Sequence, residues 1–365
     1  MESKVSKVVK VGARAIDVGY FNTKYTIGRI TNGDSMEIGV GMFPSLAPRL
    51  ATKLVMHSPG TSAADGCTIE IEGVRFFVGN GSVFKCSGLE SRPVLTEYST
   101  SDKYLALMRG AFHYMAKAAG DPDHLVIQNL VLGLPLNTYF SHQEALRLRA
   151  HGDHILSSAS GSHPNRRVTV ENVIVLVQPQ GTLVNFSTAN FKQQADKRKD
   201  GWMLVVDPGG GTLDWFLTRG NQPNWERSGA YPKAMLACSV AVCDQINVDW
   251  KNEFDIVESV DEAIREQADT FTVGAREYKL ADYWQSVECL LDESIQYMLA
   301  SVGSTANLAK ILLTGGGARV YYNHLNSHYP ELAAIVHMDD APVFSNVRGF
   351  QVVGEMNMTQ QRKAA

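Results

Sequence analysis

The chain has 365 residues, of which 44% are hydrophobic and 20% charged, with a formal net charge of −4 at pH 7. This length suggests two domains or one large duplicated unit, and no apolar run approaches the roughly 20 residues needed to cross a bilayer, which argues for a soluble protein. The slightly acidic balance excludes a global attraction to nucleic acid.

Cysteine usage and the amino terminus both indicate the cytoplasm. The five cysteines are an odd number without CxxC spacing, which favours small buried side chains in a reducing compartment over a disulfide framework. Residues 1–7 are charged and lack the apolar segment of a signal peptide.

The first half of the chain is predicted to consist mainly of strands. Residues 13–19, 24–30 and 36–43 alternate as a three-stranded meander, and residues 44–66 lose periodicity and suit a surface loop. The elements expected next are a hairpin over 69–78, a helix capped by Ser101-Asp102 and ended by Gly120, a buried strand over 125–134, a short helix over 141–149, and a hairpin arm or strand over 166–177 ending at Gln178-Pro179-Gln180-Gly181.

The second half is predicted to mix strands with longer helices. The basic run Lys197-Arg198-Lys199 favours a solvated turn. The elements expected after it are a helix over 233–246, a lobe of 261–270, a turn over 271–280 and a helix over 283–300, a buried strand over 309–313, and a helix over 320–329. The last helix begins at a glycine turn, where backbone N–H groups can face a ribose or phosphate.

The strongest motif is a glycine turn between two apolar strands. Residues 205–217 read Val-Val-Asp-Pro-Gly-Gly-Gly-Thr-Leu-Asp-Trp-Phe-Leu. Consecutive glycines take positive φ at little cost and let N–H groups approach an anion. Asp207 would face that anion only with a cation between them, which points to a Mg²⁺-nucleotide. A strand rather than a helix follows, so the motif is not a dinucleotide fingerprint.

A second copy of this motif lies upstream. Residues 15–29 align without gaps on residues 205–219, so the chain is predicted to be internally duplicated. Lys24, seven residues after Asp17, is placed to reach a β- or γ-phosphate as a point charge. The alignment matches Asp17 with Asp207, Gly19 with Gly209, and Arg29 with Arg219.

Three motifs in this order resemble the phosphate-1, phosphate-2 and adenosine motifs of the actin, Hsp70 and sugar-kinase ATPase superfamily. They are Asp17-x-Gly with Lys24, the run 207–214, and Thr314-Gly315-Gly316-Gly317. Within that superfamily, residues 133–140 and 178–180 resemble the ParM/StbA branch of prokaryotic actin-like proteins. The Asp-Val-Gly-Tyr-x-Asn-Thr-Lys form of the first hairpin is similar to protein D of PRTRC plasmid and integrative-element systems.

The resemblance runs from Ala13 to about Val353 and implies the α/β actin-like fold, which is a duplicated ribonuclease H-like ATPase fold. Each of two domains would hold a mixed sheet and an inserted smaller lobe. The implied bounds are 13–190 for domain I with a lobe at about 41–98, 345–362 as a return to domain I through a connecting segment at Asn346-Val347-Arg348-Gly349-Phe350, and 200–344 for domain II with a lobe at about 231–305.

The resemblance also implies roles for single residues. Asp17 and Asp207 would hold Mg²⁺ through its waters, with Asp207 near the attacking water. Gln180 falls where actins carry a Gln and ParM-type proteins a Glu that positions this water; a neutral amide orients but cannot accept a proton, which suggests slow hydrolysis. The residues implied to hold ATP or ADP are Gly19, Tyr20, Phe21, Asn22, Thr23 and Lys24 in the first turn, Gly209, Gly210, Gly211, Thr212 and Asp214 in the second, and Gly315, Gly316 and Gly317 beside the adenosine.

The leading hypothesis is an actin-like ATPase that polymerises with ATP-Mg²⁺ and segregates a plasmid or other mobile element. Its expected partners are further copies of itself and an adaptor protein linked to DNA, without direct nucleic-acid or membrane binding. Two alternatives stay open: a small-molecule kinase of the same superfamily, with Asp214 as a possible catalytic carboxylate, and a nucleotide switch that forms no filament. The pairs His151/His154 and His324/His328 invite a metal site but lack a third convergent ligand.

Overall fold

Two mixed β-sheets, one in each half of the chain, organise the fold. The computed structural model describes residues 7–33, 35–50, 65–86, 97–156, 166–189, 201–220, 222–246, 250 and 254–364. In the first half, the elements in chain order are β1 (Val8–Val18), β2 (Asn22–Asn32), β3 (Ser35–Pro44), β4 (Cys67–Ile71), β5 (Val74–Val78), α1 (Asp102–Ala118), β6 (His124–Leu134), α2 (Leu136–Ala150), β7 (Gly152–Leu156), β8 (Arg166–Val170), β9 (Val173–Val177) and α3 (Gln178–Ala189).

The first sheet has the order β3-β2-β1-β6-β8-β7, with β9 also paired to β6. Strands β1, β2 and β3 form the predicted antiparallel meander, and β6 runs parallel to β1. Strand β6 is central and covered on both faces, which is why its sequence is apolar almost throughout. Helix α1 packs with the small β4–β5 hairpin on one face of this sheet, and the Ser101 side chain caps α1 by accepting a hydrogen bond from the Tyr104 N–H, as predicted.

The second sheet repeats this plan. Its half of the chain contains, in order, β10 (Trp202–Pro208), β11 (Leu213–Arg219), β12 (Gln222–Pro223), β13 (Gly229–Tyr231), α4 (Met235–Gln245), α5 (Phe254–Glu266), β14 (Thr270–Val273), β15 (Arg276–Lys279), α6 (Trp284–Val302), β16 (Leu308–Leu313), α7 (Ala318–His328), α8 (Pro330–Ala333), β17 (Val336–Met338) and α9 (Ser345–Ala364). The strand order is β12-β11-β10-β16-β17, with β13 paired to β11; β10 and β11 are antiparallel, and β16 runs parallel to β10. Helices α4, α6 and α7 share the main apolar cluster of this half.

The two halves exchange helices. Helix α3 follows the first sheet but packs through Phe186 against Val205 and Leu312 of the second sheet. Helix α9 follows the second sheet but packs through Phe350 against Val131 of the first. Each sheet therefore has one face covered by a helix that begins in the other half.

The exchanged helices cross at two glycines. A Cβ built on Gly349 would lie 1.7 Å from the carbonyl oxygen of Gly181, and a Cβ built on Gly181 would lie 2.3 Å from the carbonyl oxygen of Asn346. Only the absence of side chains allows two helix backbones to approach this closely. The crossing fixes the first turns of α3 and α9 side by side.

Several predicted elements have different bounds in the structure. Helix α2 begins at Leu136, directly after Pro135, and not at 141, because proline suits the start of a helix. The segment 166–177, predicted as a hairpin arm or a strand, is two strands, β8 and β9, which pair with different parts of β6. Helix α3 begins at Gln178, where a strand end was expected.

Other predictions concern regions that the structure covers only in part. Most of the loop predicted over 44–66 and the basic run 197–199 lie outside the described residues. Of the cysteines, Cys238 and Cys243 are buried as expected, whereas Cys289 is exposed. Within the described residues, no helix combines the length and apolar character required to span a bilayer.

Candidate functional site

Two buried aspartates occupy equivalent places in the two sheets. Asp17 lies near the end of β1 and is 2% exposed; Asp207 lies near the end of β10 and is 7% exposed. Burial raises the pKa of Asp207 to about 7, and the negative charge of Asp17 is the next cause. The two carboxylates, remote in sequence, therefore share one electrostatic environment, in which they repel each other unless a cation intervenes.

The hairpins that carry these aspartates have one geometry. Asp17 is opposite Lys24 in the β1–β2 register, and Asp207 is opposite Asp214 in the β10–β11 register. The closing hydrogen bonds also correspond: the N–H of the first turn glycine donates to the carbonyl of the fourth turn residue in both. These bonds are Gly19 to Asn22 at 3.1 Å and Gly209 to Thr212 at 2.9 Å.

Each aspartate accepts a hydrogen bond from an amide side chain in the first turn of an exchanged helix. Gln178 Nε2 donates to Asp17 Oδ1 at 2.6 Å, and Asn346 Nδ2 donates to Asp207 Oδ2 at 2.6 Å. Both amides precede the glycine of the helix crossing by three residues. Neither was predicted as a site residue; the repeated amide-x-x-Gly spacing was the sequence signal that could have identified them.

Lys24 lies between its turn and the first aspartate. Its ammonium nitrogen is 3.3 Å from Asp17 Oδ2, and its side chain is only 12% exposed. A Cβ on Gly19 would lie 2.9 Å from this nitrogen, so the glycine leaves room for the charge at the turn. Lys24 also lowers the pKa of Asp207, against the larger effect of burial.

Gln180 lies in the same helical turn as Gln178 but points elsewhere. Its side-chain oxygen accepts a hydrogen bond from the Val177 N–H at 3.3 Å, as the third residue of a helix does in a capping box. In this conformation it is Gln178 that contacts an aspartate. The water-positioning role of Gln180 stays a prediction.

Asp214 ties the second hairpin to the first half. Its carboxylate accepts hydrogen bonds from the Thr212 hydroxyl at 2.6 Å and from the Leu136 N–H, at the start of α2, at 3.1 Å. Burial raises its pKa to about 6, while both hydrogen bonds lower the pKa. One oxygen thus binds the start of a helix in the other half, and the second oxygen binds a hydroxyl of its own hairpin.

The third glycine turn lies against Asp207. Gly315 has a φ of +79°, and a Cβ on it would lie 2.1 Å from Asp207 Oδ1, so both conformation and space require glycine there. The Gly317 N–H donates to the carbonyl of Pro208 at 3.0 Å, whereas a Cβ on Gly316 would meet no atom within 4 Å. All three predicted glycine turns therefore come together around the two aspartates.

The N–H groups and carboxylates of this site fit a phosphate with a hard cation. In the described part of the chain, the N–H groups of Gly210 and Gly211 have no hydrogen-bond acceptor, and successive free N–H groups of this kind bind anions. Two carboxylates suffice for Mg²⁺, which keeps most of its waters. No group of three or more His, Cys, Asp or Glu side chains among the described residues is arranged to hold a metal.

The histidine pairs noted in the sequence make other contacts. His324 Nε2 lies 2.7 Å from Asp292 Oδ1, and the His324 ring stacks on His328 at a centroid distance of 4.2 Å. His154 Nε2 lies 3.0 Å from the carbonyl oxygen of Ala150. These contacts join neighbouring helices and strands within each half.

The amide of Asn346 is one of the groups that lower the pKa of Asp207, against the larger effect of burial. A pKa raised from 3.8 to about 7 means that the folded state holds a proton that the unfolded state has lost, so stability falls as pH rises through this window. Asn346→Ala removes a hydrogen bond that lowers the pKa, so we expect the fall to extend above pH 7. Urea unfolding measured from pH 5 to 9 tests this. Asn129→Ala, which removes a buried amide bonded to Asn357 and not to a carboxylate, should lower stability equally at every pH.

Three solved structures share this architecture over nearly the whole chain. The actin-like protein Alp7A has a TM-score of 0.71 at 14% identity and covers 98% of this chain and 99% of that chain. A 15-stranded ParM filament from Clostridium botulinum gives 0.70 at 18% identity, with 95% and 100% covered. Ta0583, an archaeal actin homolog in complex with ADP, gives 0.63 at 18% identity, with 95% and 100% covered.

These likenesses define the class: the protein has the actin-like fold, which confirms the predicted fold class. Residues 15–181 match the family described as "Actin like proteins N terminal domain". The matched segment includes the first hairpin and ends in the first turn of α3. No curated protein matches the sequence significantly.

Proposed function

We propose that the protein is an actin-like ATPase that binds Mg²⁺-nucleotide between the two hairpin turns, hydrolyses it, and assembles with further copies of itself. The observation that carries the proposal is the pair Asp17 and Asp207. The two carboxylates are buried and electrostatically coupled. They lie near the ends of two strands that the alignment of 15–29 on 205–219 makes equivalent, and they are 190 residues apart in sequence.

The residues of the chain divide the work of phosphoryl transfer, which asks mainly for positioning and charge stabilisation. The N–H groups of Gly210 and Gly211 would bind phosphate oxygens, and Lys24 would neutralise them. Asp17 and Asp207 would hold Mg²⁺ through its waters; when bound, the ion supplies charge stabilisation to the terminal phosphate. Gln178 and Asn346 would hold the two carboxylates in orientation, and Gln180 would orient the attacking water.

The helix exchange provides a route from nucleotide to domain arrangement. We propose domain I over 13–190 with 345–362, and domain II over 200–344. Each aspartate contacts the first turn of one crossing helix. A change at either carboxylate would therefore shift a helix that packs on the other domain. Domain closure about such a crossing would depend on which nucleotide is bound if the two states bind it unequally.

A filament is the assembly that we propose. The neighbours of this fold include a ParM filament and an Alp12 filament. By the resemblance to ParM/StbA and PRTRC proteins, its task would be the segregation of a plasmid or mobile element in the cytoplasm through an adaptor protein. Sedimentation with ATP-Mg²⁺, with ADP-Mg²⁺ and without nucleotide tests assembly; a protein that hydrolyses ATP but stays monomeric at high concentration would be a switch instead.

Lys24→Met tests the nucleotide site directly. Because a hydrogen bond to a charged group contributes about 1.5–3 kcal/mol, we expect ATP affinity to fall by roughly 10- to 100-fold. Isothermal titration with ATP and Mg²⁺ measures this. The matched control is Lys10→Met, which removes an exposed ammonium from the neighbouring strand β1, where it pairs with Glu171, and which should leave affinity unchanged. Equal affinity in both variants would contradict the assignment of Lys24.

A further inference from the structure

The two turns differ at their tips, where the first carries two aromatic rings and the second carries glycines. In the sequence alignment that pairs Asp17 with Asp207, Tyr20 corresponds to Gly210 and Phe21 to Gly211. The two rings stand edge to face, with centroids 5.1 Å apart and planes at 86°.

These rings lie directly on the opposing turn. A Cβ built on Gly210 would lie 2.6 Å from Phe21 Cδ2 and 2.9 Å from Tyr20 Cδ1. The rings therefore occupy the space that a side chain at position 210 would need. They join the two turns at their tips, beside the N–H groups that have no acceptor among the described residues.

Hydrogen bonds from residues outside the turns hold both turn backbones in place. In the first turn, the Ser45 N–H donates to the Phe21 carbonyl at 2.8 Å, and the Ser45 hydroxyl donates to the Gly19 carbonyl at 2.7 Å. In the second, the Leu236 N–H at the start of α4 donates to the Gly210 carbonyl at 2.9 Å. Because the backbones are held, displacement of the ring requires rotation of the Phe21 side chain about χ1.

We propose that Phe21, supported by Tyr20, is an aromatic gate that the terminal phosphate of a nucleoside triphosphate must displace. The inference rests on the proposed nucleotide site. A phosphoryl group that contacts both turns lies between their tips, where it cannot share space with a ring packed on Gly210. A diphosphate is one phosphoryl group shorter and leaves the ring in place. The gate therefore lowers affinity for the triphosphate and leaves affinity for the diphosphate unchanged.

The test is the ratio of ATP to ADP affinity, measured by titration calorimetry with Mg²⁺. In Phe21→Gly, which gives the first turn the residue of the second, we expect ATP to bind about tenfold more tightly, as expected for loss of one aromatic packing contact, and ADP to bind within about twofold of the wild type. Stopped-flow binding should show faster ATP association in the variant. Phe84→Ala removes a ring that is 84% exposed and should leave both affinities unchanged.

The outcomes separate the gate from the site. An unchanged ATP to ADP ratio in a variant and wild type that both bind nucleotide overturns the gate and keeps the nucleotide site. Failure of both proteins to bind either nucleotide overturns both proposals. Circular dichroism melts establish that the variant is folded; if Phe21→Gly unfolds, Phe21→Ala, which keeps a Cβ in the turn, takes its place with the same expected result.

Discussion

Asp207→Asn is expected to abolish ATP turnover and at the same time to make the protein more stable. The loss of turnover follows from the proposed role of the carboxylate as a Mg²⁺ ligand, since charge stabilisation by a metal is worth several kcal/mol, or a rate factor of at least about a hundredfold. Phosphate release with saturating ATP-Mg²⁺ measures it.

The gain in stability follows from the environment of the carboxylate. Burial and the charge of Asp17 raise the pKa of Asp207 to about 7, so the ionised form is disfavoured in the folded state relative to the unfolded chain. This cost is absent below about pH 4, grows as pH rises, and is fully present above pH 7. An asparagine of the same shape never ionises. Above pH 7 and with EDTA present, we therefore expect a Tm several degrees above that of the wild type.

The control is an aspartate in the opposite situation. Asp153 is exposed at β7, and the Thr169 hydroxyl lowers its pKa. Asp153→Asn should retain full turnover and gain no stability. Unchanged hydrolysis in Asp207→Asn would remove this residue from the proposed mechanism, and loss of turnover together with a lower Tm would indicate a folding defect instead.

The turns and the strands around them could be predicted because their signals are local. Alternation over 13–43 indicates a meander, and the spacing of Asp17 and Gly19 recurs in Asp207 and Gly209. The strand register then places the carboxylates at equivalent sheet positions. The duplicated hairpin could be recognised in the sequence because each copy, 15–29 and 205–219, is a continuous segment of 15 residues.

The amide contacts were not predicted, for two reasons. With 178–180 taken as the end of a strand, Gln178 and Gln180 would share one face; in helix α3, two residues apart is about 200° of rotation, so only one can face Asp17. Asn346 reaches Asp207 across a sequence separation of 139 residues. Only the exchange of α3 and α9 between the halves brings these groups together, and helix exchange has no local sequence signal.

Gly349→Ala is expected to lower the free energy of unfolding by about 3 kcal/mol, at the upper end of the usual cost of overpacking. The new Cβ would lie 1.7 Å from the carbonyl oxygen of Gly181 and 2.8 Å from its Cα. Both atoms are backbone, so a rotamer change cannot relieve the contact and the two helices must separate. The cost is expected despite a gain of up to about 1 kcal/mol from the higher helix propensity of alanine.

Separation of the helices also moves their first turns, and with them the amides of Gln178 and Asn346 that hold the two aspartates. Nucleotide affinity should therefore fall together with stability, although Gly349 itself contacts neither carboxylate. Urea unfolding measures the first effect as a lower midpoint at unchanged slope, and titration with ATP-Mg²⁺ measures the second. Gly316→Ala, where a Cβ would meet no atom within 4 Å, is the control for stability. If Gly349→Ala unfolds at the wild-type midpoint, the helices can separate at little cost, and the crossing does not couple the two halves.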